Sequence, residues 1–343
     1  MQLLKSFASD NYAPVLPAVM EALLKANVGH ARSYGADDIT AQTRALFCSV
    51  FGGSPDVHFV FNGTGANVLS ISSATQSFNS VLCADISHIY NDESSAPETF
   101  TGCRFFPIPA NAHGKLEVAA LKDRLIRKGD VHYAQPQMLS ITQSTEYGTV
   151  YSLEEIHAIA AFCRSNGLFL HVDGSRFFNA VASLGCSLQQ AVQGIDILSL
   201  GGTKAGMMFG EAVVVFHPEL KRLIGFKQKQ VIQLASKMRY ISAQFQAMLT
   251  GDYWRQPATH ANGMASLLEQ ELKKYPQVRI TRPVQANVVF AELPLTWNEP
   301  LQSHFPFYIW KAASNEARLM CSWDTTTDDI YEFSSAVATL AGG

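Results

Sequence analysis

Two short apolar runs, each cut off by a polar residue and glycine, constrain this chain more than any other feature. Residues 168–172 run into Asp173, Gly174 and Arg176, and residues 195–200 run into Gly201, Gly202, Thr203 and Lys204. A short apolar run bounded by glycine reads as a buried strand. When such a strand hands over to polar residues, it delivers them to the crevice beyond the carboxyl ends of an open α/β sheet, where ligands bind. The same grammar recurs upstream. Residues 57–61 feed Asn62, Gly63, Thr64 and Gly65; residues 80–85 lead into a polar loop carrying His88 and Glu93; and residues 137–142 run into a polar turn carrying Glu146.

Helical patterns separate these strands. Val15, Leu16, Val19, Met20, Leu23 and Leu24 recur on one face of residues 14–26, an acidic helix start lies at Asp37 or Asp38, and Ser152 with Glu155 forms a capping box for a helix reaching residue 165. Further helices are predicted over 117–128 and through 227–249. Alternating strands and helices from 57 to 200 imply a mostly parallel central sheet flanked by helices and joined by right-handed crossovers. From about residue 252 the pattern changes to a helix, strands near 278–281 and 286–293, and a strand at 317–323 between helices. The expectation is therefore an α/β protein with a large unit over 1–250, including the N-terminal segment, and a smaller C-terminal α+β domain over 251–343.

Bulk properties narrow the function. A chain of 343 residues, 47% of them hydrophobic, can bury a large core, and a net charge of −3 without a basic run argues against a nucleic-acid partner. The start carries no apolar leader core, and no apolar stretch approaches the roughly eighteen residues of a membrane helix, so a cytoplasmic protein is expected. Cys48, Cys83, Cys103, Cys163, Cys186 and Cys321 are scattered without a C-x-x-C pair, which reads as free thiols in a reducing compartment and gives no metal site.

The chemistry sits at the strand ends. A lysine after a strand can condense with an aldehyde as a Schiff base, and an aspartate in the same crevice can keep a pyridine nitrogen protonated; Lys204 and Asp173 together describe a pyridoxal-phosphate site. The bland alternative makes Asp173 a turn former and Lys204 a solvated loop residue. Gly63 and Thr64 open a helix whose free N–H groups suit a phosphate, although the same residues serve a plain strand-to-helix turn. His88 can stack on a flat cofactor and exchange protons, or simply be a surface histidine. Arg318, in an apolar strand, needs an anionic partner, which a salt bridge within the protein would also provide.

DGSRF around Asp173, SLGGTKAGM around Lys204, and the segments FASDNY, NGTGAN and RLMCSWDT together resemble the L-threonine aldolases of the low-specificity, β-eliminating lyase type, and the resemblance runs from Ser9 to Asp324. It implies the large domain of a fold type I pyridoxal-phosphate enzyme. It further implies that Gly63 and Thr64 cup the phosphate, that His88 stacks on the pyridine ring with Glu93 at the family's spacing, and that Thr203 and Lys204 hold the cofactor. Ser9, Arg176 and Arg318 would grip the substrate carboxylate, with Arg176 also near the cofactor. Lys229 would reach the cofactor phosphate of a neighbouring subunit in a homotetramer; read as a charge cluster, Lys227 and Lys229 are a solvated helix end. One departure stands out: Glu146 occupies a position where the better-known branch carries a second histidine, so the group that deprotonates the substrate hydroxyl is open between His88, Glu146 and a water. The implied reaction is retro-aldol cleavage of L-3-hydroxy-α-amino acids of the threonine, allo-threonine or phenylserine type to glycine and an aldehyde. The alternatives are β-elimination, transamination or racemisation on the same scaffold, or a non-catalytic ligand-binding protein.

Overall fold

The computed structural model describes residues 5–342; residues 1–4 of the N-terminal segment and residue 343 lie outside it. The first sheet is built from β1 (Asp56–Val60), β2 (Asn79–Ala84), β3 (Arg104–Ile108), β4 (Gln135–Thr142), β5 (Phe169–Gly174), β6 (Ile197–Gly201) and β7 (Glu211–Val215). Their order across the sheet is β1-β7-β6-β5-β4-β2-β3. From β6 to β3 neighbouring strands are parallel, whereas β7 runs antiparallel to both of its neighbours. This reversal brings the amino end of β7 to the edge where the parallel strands end.

Burial explains the composition of these strands. Every residue of β2, β6 and β7 is buried, as helix-covered sheets require, so their sequences are nearly unbroken apolar runs. Helices cap where the sequence signals them. Asn62 accepts the Gly65 N–H ahead of the helix Gly63–Ala74, Asp37 accepts the Thr40 N–H ahead of Asp38–Phe51, and the Ser152–Glu155 capping box opens Leu153–Asn166.

A second, antiparallel sheet of order β10-β11-β9-β8 comprises β8 (Arg279–Ile280), β9 (Val288–Glu292), β10 (Tyr308–Lys311) and β11 (Glu316–Met320). It packs with the helices Arg255–Leu272 and Thr327–Gly342 around its own apolar core. The N-terminal segment, expected with the first sheet, also reaches this core: Phe7 is buried there against Phe333, ring centroids 5.1 Å apart, and its backbone bonds Pro306 and Met320.

Two predicted helices differ. Only Val118–Leu121 of residues 117–128 is α-helical, followed by a 3-10 turn, Lys122–Leu125. The segment 227–249 is split into Ile224–Gln230 and Arg239–Leu249. The break has a cause. Ile232 adopts a left-handed φ of 64°, and Gln233 leaves the helical path to accept the Phe61 N–H at 2.9 Å, docking this segment against the end of β1.

Candidate active site

The residues singled out at strand ends do converge on one edge of the first sheet. Lys204 lies on the 3-10 turn Thr203–Ala205 just after β6. It is half-buried and lines a narrow space with Asn179, Asn287, Ser322 and Trp323. Among the described residues it takes part in no ion pair. The sequence folds this way because glycine is needed twice. A Cβ on Gly201 would stand 2.2 Å from the Ser175 carbonyl oxygen, and one on Gly202 would stand 2.5 Å from the Gly210 carbonyl oxygen.

Asp173 is buried near the end of β5, beside Ser199 of β6 and Thr142 of β4 in register. Its Oδ1 accepts the Ser175 N–H at 3.1 Å, and its Oδ2 accepts Asn67 Nδ2 at 3.1 Å. Asn67, one turn into the helix Gly63–Ala74, also donates to Glu93 Oε1 at 2.7 Å, and Glu93 Oε1 in turn bonds His88 Nδ1 at 2.9 Å. A continuous polar chain thus joins the aspartate to the histidine. The Glu93 contact raises the His88 pKa against the opposing effect of burial.

At the start of that helix, Asn62 takes the Gly65 N–H with its side chain and the Ala66 N–H with its carbonyl. The Gly63 and Thr64 N–H groups have no intrahelical partner, as first-turn amides do not, and space is open beside Gly63. Such amides suit a phosphate.

Arg176 follows the end of β5, and Arg318 faces it from β11 of the second sheet. The Arg176 guanidinium forks onto the buried Asp10 carboxylate, Nε to Oδ2 at 2.7 Å and Nη2 to Oδ1 at 2.8 Å, so much of its donor set is spent within the protein. Burial alone would raise the Asp10 pKa; Arg176 overrides it and holds the carboxyl below its usual range. Arg318 has no such partner. Its Nη2 only approaches the Ala8 carbonyl oxygen at 3.4 Å, its buried Nε is unpaired, and its guanidinium lies between the rings of Tyr308 and Trp310, 5.3 and 5.1 Å from their centroids. The salt bridge within the protein that would satisfy this arginine does not form. Burial and the neighbouring Arg176 charge both lower its pKa. Two guanidiniums close enough to repel, one with an unpaired N–H, are a cradle for an anion.

Ser9 caps the 3-10 turn Asp10–Tyr12 by accepting the Asn11 N–H at 3.2 Å, a local role, and lies next to Asp10. Glu146 sits in the turn after β4. Burial raises its pKa, countered by the charges of Arg176 and Lys204. Lys229 is exposed on the helix Ile224–Gln230, its Nζ 5.3 Å from the Tyr34 ring centroid. Among the described residues, no hydrogen bond or ion pair links it to the other expected site residues.

Sequence reasoning passed over Asp10, Asn67 and Glu211. Asp10 and Asn67 stand inside the segments FASDNY and NGTGAN, but only their neighbours were weighed. Glu211 heads a wholly apolar strand and is 6% exposed. An acid at such a place was itself the signal, since acids are almost never buried without a partner.

A lone amine, a buried acid and open helix-start amides at one edge of the first sheet, with Arg318 of the second sheet facing Arg176, make an α/β arrangement suited to a small anionic ligand beside an amine. The chain belongs to the beta-eliminating lyase family, whose model matches residues 6–294. It is 40% identical over 341 residues to a low specificity L-threonine aldolase of Pseudomonas aeruginosa, covering 98% of each chain, and 40% identical over 336 residues to one from a Pseudomonas species, covering 97% of each. Its structure is similar to that of a Leishmania major threonine aldolase, with a TM-score of 0.93 and 28% identity over 98% of this chain and 99% of that one.

Proposed function

We propose that this protein is a low-specificity L-threonine aldolase that uses pyridoxal phosphate to cleave L-3-hydroxy-α-amino acids into glycine and an aldehyde. The observation that carries this reading is the convergence of Lys204, Asp173 and the open Gly63 and Thr64 amides on one sheet edge, in a chain 40% identical to named threonine aldolases.

Bound there, pyridoxal phosphate would supply a reactive aldehyde and a ring that accepts electrons from the substrate α-carbon. The residues fit it. The Gly63 and Thr64 N–H groups would hold its phosphate, Asp173 would pair with its ring nitrogen, and His88 would lie beside its ring. Lys204 offers the amine, and Thr203, its neighbour on the turn, holds the same edge. Arg318, with its unpaired N–H, takes the substrate carboxylate, and Ser9 closes the carboxylate site from the N-terminal side. Arg176 contributes charge and the donor that its fork on Asp10 leaves over. By fixing the carboxylate, these residues would orient the substrate's α-carbon and so decide which of its bonds is activated.

His88 and Glu146 are the groups able to take the β-hydroxyl proton. His88, tied to Glu93, is biased towards the protonated form, whereas Glu146 has a raised pKa that brings a carboxylate closer to the work of a base. Glu146→Gln is therefore expected to lower kcat more than KM, by about 10²-fold, with His88→Asn weakening cofactor binding as well.

A homotetramer is part of the proposal, with Lys229 reaching a neighbour's phosphate. It is supported by exposed apolar side chains on the large unit, among them Met20, Leu24, Phe61 and Met208. Six free cysteines, five of them buried, support a reducing, cytoplasmic setting, and among the described residues no helix is long and apolar enough to cross a membrane. The test is to incubate the pyridoxal-phosphate-loaded protein with L-threonine and L-phenylserine and follow glycine and aldehyde together. Equal amounts of both, lost in Lys204→Ala, are expected. Keto acid or exchanged α-hydrogen without aldehyde would overturn the aldolase reading.

A further inference from the structure

The turn that carries Glu146 is closed by its own bonds. The Thr145 N–H donates to the Thr149 carbonyl oxygen at 2.9 Å, the Gly148 N–H donates to the Thr145 carbonyl oxygen at 2.8 Å, and the two threonine hydroxyls lie 2.7 Å apart. So tight a loop moves as a piece. It is fastened to the segment between β8 and β9 and to the sheet behind that segment. The Arg282 guanidinium lies 3.9 Å from the Tyr147 ring centroid, the closest cation–ring approach among the described residues. Gln285 Oε1 accepts the Val150 N–H at 2.8 Å, and a Cβ on Gly148 would stand 2.1 Å from Val288 Cγ1. Phe290 meets the Tyr147 ring edge to face, centroids 6.1 Å apart.

The sheet face that receives Tyr147 also presents Arg318. Arg318 stands in register with Phe290 on β9 and with Tyr308 on β10, and opposite residues of an antiparallel pair share a face. Trp310 closes the gap between them, its ring 5.7 Å from that of Phe290 and 5.1 Å from the Arg318 guanidinium. A continuous stack thus runs from Arg282 through Tyr147, Phe290 and Trp310 to Arg318. We infer that Arg282 and Tyr147 are positioning residues for Glu146, so that one sheet face fixes both the arginine for the substrate carboxylate and the carboxyl for the β-hydroxyl proton. The inference deepens the proposed function and rests on it for the roles of Glu146 and Arg318.

The contacts of Arg282 favour this assignment over a plain ion pair. An arginine serving a carboxylate forks onto it, as Arg176 does on Asp10. Arg282 holds Glu316 loosely instead, Nε to Oε1 at 3.5 Å, and its buried Nε makes no hydrogen bond. The Glu316 Oε1 is already taken by the Thr281 hydroxyl. What Arg282 does hold lies around the Glu146 turn. Its flat face covers Tyr147, and its Nη1 donates to the Ala112 carbonyl oxygen at 3.1 Å, beside His113, whose own carbonyl accepts the Thr149 hydroxyl. Glu146 stands one residue before Tyr147, and it is near enough to Arg318 for their charges to interact. Cleavage between the α- and β-carbons needs the carboxylate and the β-hydroxyl gripped at one separation, since a displacement of about 1 Å can cost about 10²-fold in rate. A shared sheet face supplies that separation.

The test reads the turn first and the reaction second. In Arg282→Gln, amide hydrogen exchange of the peptide spanning residues 143–151 is expected to quicken roughly fivefold in the full chain, with or without pyridoxal phosphate. The helix Leu153–Asn166 should keep its wild-type exchange, which shows that the variant is folded. Tyr147→Leu should behave like Arg282→Gln, and Tyr147→Phe, which keeps the ring, should match the wild type. In the loaded enzyme Arg282→Gln should lower kcat about tenfold with KM for the amino acid held within about twofold, and should cost nothing further when added to Glu146→Gln. Unchanged exchange in Arg282→Gln and Tyr147→Leu, a Tyr147→Phe loss as large as that of Tyr147→Leu, or additive losses in the double variant would overturn the inference. Unchanged exchange in a protein that still yields aldehyde and glycine leaves the aldolase reading intact, and a protein that yields neither leaves the exchange measurement intact.

Discussion

Asp10 and Glu211, two buried carboxyls of one site, are displaced in opposite directions from their ordinary range, and each leaves its own mark on stability. Asp10 has a lowered folded pKa, so its contribution is present above the unfolded value and is lost as pH falls through the folded one. Asp10→Asn strands the Arg176 charge and is expected to cost about 3–5 kcal/mol at neutral pH. In urea titrations the deficit should shrink as the medium is acidified. Glu211 behaves conversely. Its pKa is raised to about 7, so the folded state binds the extra proton and the wild type loses stability as pH climbs from the unfolded value, 4.5, to about 7. Glu211→Gln carries no such loss and should gain on the wild type across that window by at most about 3 kcal/mol, read as a widening difference in melting temperature. The raised His88 pKa gives the third expectation. In Glu93→Gln the imidazole should titrate at lower pH by NMR, because the contact that most favours its charged form is removed.

At the scale of elements, the site depends on strand ends being held at fixed separations, and Gly201 is the tightest spacer. Its missing Cβ lets β6 lie against the Ser175 backbone after β5, where a methyl group would stand 2.2 Å from a carbonyl oxygen that cannot swing away. Gly201→Ala should force the two strand ends apart, cost roughly 1–3 kcal/mol and weaken pyridoxal phosphate binding, measured by equilibrium dialysis. The strands that carry Asp173, Lys204, His88 and Gly63 could be read from the sequence because each is a short apolar run stopped by glycine or polar residues, a signal set by burial on both faces. The break between Gln230 and Arg239 could not. Local periodicity there favours one helix, and where it breaks Gln233 bonds the Phe61 N–H, a partner distant in sequence. For the same reason the Arg176–Asp10 fork, which joins residues 166 positions apart, leaves no local pattern, and a sequence reading hands Arg176 to the substrate and the cofactor. The reversed direction of β7 was equally hidden, since a buried antiparallel strand and a buried parallel one have the same composition.

The whole molecule joins two cores, and the N-terminal segment belongs to both. Phe7 sits among Phe305 and Phe333 in the second core, while Asp10, three residues on, receives Arg176 from the first unit. Phe7→Ala is expected to destabilise the protein by about 3–5 kcal/mol and, by freeing the segment, to raise KM for the amino acid more than it lowers kcat. Assembly between copies can be tested on the exposed apolar cluster that includes Leu24 and Met208. Leu24→Asp with Met208→Asp should reduce the mass found by light scattering if the exposed apolar side chains there are covered by a neighbour. The placement of Phe7 also orders events during synthesis. The residues that enclose it lie between 265 and 337, so Phe7 leaves the ribosome long before the core that receives it has been made. Closing that long loop comes late. Ser9 and Asp10 take their places only then, and a nascent chain short of the helix Thr327–Gly342 has made its first sheet but not the seat that brings Asp10 to Arg176.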